Sequence, residues 1–140
     1  MGFMNFENPE KSPAEVMASK TRALLRGLCA SSDKVEATAL VSHDGLIIAS
    51  VMSTEVDADR FGAMCASLLA LANRAAKEVS RGDLRQIILD GSLGPMLLTK
   101  AGDAGVLAVA ANPAAKLGQL ILDTRNTARA VSELVASTKV

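Results

Sequence analysis

Tryptophan and tyrosine are missing from this chain, and phenylalanine occurs only at Phe3, Phe6 and Phe61. The 15 basic residues are balanced by 15 acidic ones. Neither base stacking nor electrostatic steering toward a polyanion is therefore available, and nucleic acid is not an expected partner. Histidine occurs once, at His43, and its neighbour Asp44 is already required by a turn. No nucleophile–base–orienter set can be assembled around it. Gly91-Ser92-Leu93-Gly94 lacks the G-x-x-x-x-G-K-[ST] phosphate pattern and joins one strand-like run to another. A hairpin turn is expected there, with no helix N-terminus facing an anion. Cys29 and Cys65 fall on apolar helical segments and read as small buried hydrophobes, neither a disulfide framework nor a metal knuckle. No catalytic, cofactor or metal-binding residues are expected, and the chain reads as a non-enzyme.

Long hydrophobic runs are missing as well. No stretch reaches the roughly 20 apolar residues of a membrane span, so membrane insertion is not expected. The opening MGFMNFENPEK has no basic region followed by an apolar one, and Phe6 stands where myristoylation requires Ser or Thr. A cytoplasmic location is expected.

Apolar residues nevertheless make up 49% of the 140, and mean hydropathy is +0.26. That fits one domain with a generous core. The densest apolar segment is FGAMCASLLALAN, residues 61–73, between Arg60 and Arg74. It holds strong helix formers and no proline, and Asp57 and Asp59 precede it. A helix apolar on every face is covered on two sides. A domain this small seldom surrounds one of its helices, so a second polypeptide is the expected second cover.

Around this helix the elements read in the order α-β-β-α-β-β-β-α. Residues 1–11 form an expected loose tail, and 12–140 the domain. Ser12-Pro13-Ala14-Glu15 combines a capping box with Pro at the first helical position. Met17, Thr21, Leu24, Leu25 and Leu28 then share one face of a helix running to about Ala30. Runs 36–43 and 46–52 flank Asp44-Gly45, which predicts a hairpin with a type I′ turn. The central helix spans about 57–80, with Gly82 as its expected C′ residue. Three short runs, 84–90, 95–99 and 105–110, predict an antiparallel meander, because gaps so short cannot hold a parallel crossover. Asn112-Pro113 is expected to open the last helix, whose inner stripe is Leu117, Leu120, Ile121, Thr124, Ala128, Val131 and Val135. Ile87 and Leu89 alternate with Ile88, so both sheet faces need cover. The expected fold is an α+β sandwich, a five-stranded antiparallel sheet with one helix on one face and two on the other.

The leading helix, VEATALVSHDGLIIAS (35–50), the Asp-initiated apolar helix, RQIILDGSLGPMLLTKAGDAGVLAVAA (85–111) and the closing amphipathic helix together resemble the Roadblock/LC7 family, bacterial MglB-type members in particular. The resemblance covers about residues 12–136 and rests on turns and apolarity. It implies a homodimer in which central helices pair and third strands join edge to edge. It also implies a regulatory adaptor that binds a small Ras-like GTPase and modulates its GTP hydrolysis, as a GTPase-activating or cell-polarity signalling partner without an arginine finger.

Two stripes can be separated on the central helix. Phe61, Met64, Cys65, Leu68, Leu71, Ala72 and Ala75 form a bulky face suited to the chain's own sheet. Ala58, Gly62, Ala66, Leu69, Asn73 and Ala76 form a face of mostly small residues, on which another helix can approach. Gly inside a helix costs about 1 kcal/mol against Ala, and close packing would offset that. The expected dimer interface is this small stripe plus Arg85, Ile87 and Leu89 of the third strand. Arg60, Arg74, Lys77 and Arg81, near the helix ends, are candidates for contact with an acidic GTPase surface. Two rivals stand beside this reading. One is a scaffold dimer that assembles a signalling or cytoskeletal-motor complex without affecting GTP turnover. The other is a small-molecule sensor, for which the sequence nominates no pocket residues.

Overall fold

The computed structural model describes residues 12–32 and 34–138; the tail expected at 1–11 lies outside them. Helix α1 (Pro13–Ser31) starts where the capping signals put it. Ser12 Oγ accepts from the Glu15 backbone N–H at 3.2 Å, and Pro13 opens the first turn. Strands β1 (Val35–Val41) and β2 (Ile47–Val51) form the first hairpin. Helix α2 (Ala58–Glu78) follows, with Asp57 as its N-cap accepting from Arg60 N–H. The meander is β3 (Gln86–Gly91), β4 (Gly94–Lys100) and β5 (Val106–Ala111), and helix α3 (Leu117–Thr138) closes the chain.

The strands form one antiparallel sheet in the order β2-β1-β5-β4-β3. Helices α1 and α3 cover one face, over a core that includes Leu25, Leu40, Leu97, Leu107 and Val131. Helix α2 covers the other, over Ala39, Val41, Cys65, Leu98 and Ala108. The central strands β1, β5 and β4 are thus buried on both faces, while β3 at the edge is largely exposed. Element order, sheet and layering are those expected from the sequence.

Three local readings change. The β1–β2 turn is not type I′: of its residues only Gly45 has positive φ, at 87°. Gly45 N–H donates to Ser42 C=O and Ser42 N–H to Leu46 C=O, a three-residue loop with glycine at the left-handed position. Gly82 is not the C′ residue of α2. Ser80 takes that place at φ 59°, while Ser80 N–H bonds Lys77 C=O and Arg81 N–H bonds Ala76 C=O, a Schellman closure. Asn112-Pro113 opens a turn, and α3 starts four residues later. Asn112 Oδ1 accepts from Ala114 N–H at 2.9 Å, the local side-chain bond by which Asn competes with helix.

Candidate functional site

Helix α2 packs over β1 and β2 at one side of the sheet. Strand β3 lies at the far edge, where its Ile87 and Leu89 share a face with Leu98 and Met96 of β4. That face is turned toward the α2 layer, yet α2 does not extend over its outer part. The result is an open apolar cleft of about 570 Å³ between the outward side of α2 and β3–β4. Met64, Leu68, Leu71, Leu89 and Met96 line it, with Arg60 at its rim. Met64 is 60% exposed, Leu71 64% and Leu89 37%. Large apolar side chains so exposed and so clustered mark an interaction surface.

The small stripe of α2 turns inward and the bulky stripe is divided between core and solvent. Gly62 and Leu69 are buried inside the chain itself, with Ala58, Ala66, Asn73 and Ala76 half-buried beside them. A Cβ on Gly62 would stand 2.3 Å from the Gly45 carbonyl oxygen, so the helix lies against the hairpin turn backbone to backbone. Asn73 Oδ1 accepts from Leu84 N–H at 3.0 Å, fixing the segment that leads into β3. Close approach does explain Gly62, but the approaching element is the chain's own hairpin. Of the stripe assigned to the sheet, Cys65 is buried and Phe61, Leu68 and Ala72 half-buried, while Met64, Leu71 and Ala75 face outward. The paired glycines, Gly45 in the turn and Gly62 on the helix, are the signal that could have told the stripes apart.

The third-strand candidates separate as well. Leu89 faces the cleft, Ile87 packs half-buried under α2, and Arg85 lies just before β3, exposed. The four cations near the ends of α2 are all exposed. Arg60 pairs with Asp57 at 3.7 Å and Lys77 with Asp83 at 3.7 Å, whereas Arg74 and Arg81 are in no ion pair among the described residues. His43 is exposed beside the first turn. Burial pushes the Cys65 thiol up to about 11 and raises that of Cys29, so neither is a thiolate at neutral pH. Among the described residues no group of three His, Cys, Asp or Glu could hold a metal ion, and no helix is long and apolar enough to cross a membrane.

An α+β sandwich with a five-stranded antiparallel sheet, one helix on the open face and two on the other, defines the class. The Roadblock/LC7 domain model matches residues 12–111, and the chain belongs to that family. Among similar sequences, the uncharacterized protein MJ1340 of Methanocaldococcus jannaschii is 30% identical over 103 residues, 74% of this chain and 90% of that one. Among solved structures, Myxococcus xanthus MglB has a TM-score of 0.79 at 19% identity, covering 85% of this chain and 97% of that one. A Roadblock/LC7 domain from Streptomyces avermitilis has a TM-score of 0.76 at 23% identity, with 82% and 97% covered. The fold is thus that of MglB.

Proposed function

We propose that two copies of this chain associate through the outward side of α2 and the free edge of β3. The resulting homodimer is a cytoplasmic adaptor that binds a small Ras-like GTPase and modulates its GTP hydrolysis. The observation that carries the proposal is the open cleft: Met64, Leu71 and Leu89 form a continuous apolar surface beside an unpaired sheet edge. Pairing of two such edges extends the sheet and satisfies its outward backbone groups, while the two α2 helices shelter each other. Membership in the Roadblock/LC7 family and the likeness to MglB support the GTPase as partner. Arg74 and Arg81, in no ion pair among the described residues, are the cations available to meet an acidic GTPase surface. In this reading the chain supplies no catalytic group. It acts by holding the GTPase's own residues in place.

Single-turnover GTP hydrolysis by the cognate GTPase, with and without this protein, is the decisive measurement. A faster rate together with co-elution supports the proposal. Co-elution at an unchanged rate supports a scaffold instead, and neither co-elution nor a rate change sinks the GTPase-adaptor reading.

A further inference from the structure

Beside α3, the segment entering β3 and the end of β4 border an open groove of about 360 Å³. Arg85, Lys100, Arg125 and Arg129 line it, and no carboxylate does. All four are exposed, and none is in an ion pair among the described residues. The chain as a whole is neutral, so this is a local excess of positive charge. Arg125 and Arg129 stand one turn apart on α3, where like charges repel. Lys100 N–H bonds Arg85 C=O at 3.1 Å, which ties the segment entering β3 to the end of β4 beside α3. Thr99 also borders the groove, but at 6% exposure it is part of the packed sheet and its Oγ1 is shielded from solvent.

We infer that this groove docks an acidic peptide segment of a partner protein, its carboxylates meeting Arg125 and Arg129. A nucleotide has no aromatic side chain here on which to stack its base. A compact phosphate is favoured by converging backbone N–H groups at a helix N-terminus, and this groove lies along the middle of α3, where no such groups are free. The spacing suits an extended chain. Residues four apart on a helix are separated by about 6 Å along its axis, and alternate residues of a strand by about 6.6 Å. Acids at every second position would thus meet the arginine pair in register, with guanidinium forks suited to carboxylates. The inference does not depend on the dimer proposal, because the groove lies on the other face of the sheet.

The test is fluorescence anisotropy of the full chain with a labelled peptide of alternating Glu and Ala, beside the same peptide with Gln for Glu. The Glu peptide should bind and the Gln peptide should not. Arg125→Gln with Arg129→Gln should weaken binding about tenfold or more, whereas Arg74→Gln with Arg81→Gln changes it less than about twofold. Leu71→Glu, on the other face, should leave it unchanged. Circular dichroism confirms that the variants fold. Failure of the Glu peptide to bind, or equal losses in both arginine pairs, would overturn the inference. So would displacement of the peptide by inorganic phosphate where chloride of equal ionic strength has no effect, since that assigns the groove to a compact phosphate.

Discussion

Two glycines in α-helices face opposite situations. Gly27 of α1 is exposed and has nothing within 4 Å of an added Cβ, whereas Gly62 of α2 would drive that atom to 2.3 Å from the Gly45 oxygen. Gly27→Ala should stabilise the fold by about 0.5–1 kcal/mol through helix propensity and chain entropy. Gly62→Ala gains the same propensity but must push the hairpin from the helix, and should destabilise by about 1–3 kcal/mol net. Urea unfolding of the two variants checks the pair of opposite signs. At Cys65 the shift is in ionisation. The thiol is raised from 9.0 to about 11 in the fold, so the unfolded chain loses its proton first as pH rises. The stability it contributes is whole below pH 9.0 and disappears as pH climbs through about 11. Cys65→Ala should show a smaller loss over that interval, by about 2 kcal/mol, in unfolding measured across the alkaline range. Burial of Cys65 was legible from its apolar helix. The inward position of Gly62 was not legible from α2 alone, because small residues pack closely against a foreign helix or a native turn alike, and only Gly45 in the turn pointed to the latter.

Among the elements, periodicity was enough to place three helices and five strands in order, because each apolar pattern matched one repeat. Boundaries were harder wherever a side chain bonded its own backbone, as Asn112 does in delaying α3. The outward side of α2 was hidden for another reason. A helix with apolar residues on every face carries no phase in its sequence, and bulk alone pointed Met64 and Leu71 inward. Their exposure yields a sharp expectation for α2. Met64→Glu or Leu71→Glu should change the folding stability of a single subunit by no more than about 0.5 kcal/mol, since neither side chain is in its core. Either should weaken self-association by about 1–3 kcal/mol, as loss of a central apolar anchor does. Sedimentation over a concentration series separates the two effects. Dimers unaffected by either change would move the interface off this helix.

At the scale of the whole molecule the open face has a thermodynamic signature. An unshielded apolar surface that finds cover in a second copy couples folding to association, so stability becomes a function of concentration. For a dimer of this size, unfolding to two separate chains should raise the midpoint of thermal unfolding by about 2–3 °C for each tenfold increase in protein. A stable monomer would show no such slope. The Leu71→Glu chain should lose the slope while keeping its far-ultraviolet circular dichroism, because its own two cores are untouched. Scanning calorimetry over a hundredfold range distinguishes these cases without reference to any GTPase. A flat midpoint for the unaltered chain would mean that the cleft stays open to water on its own. The apolar surface would then have to be explained by a partner of another kind, with the sheet edge of β3 left for that partner to pair.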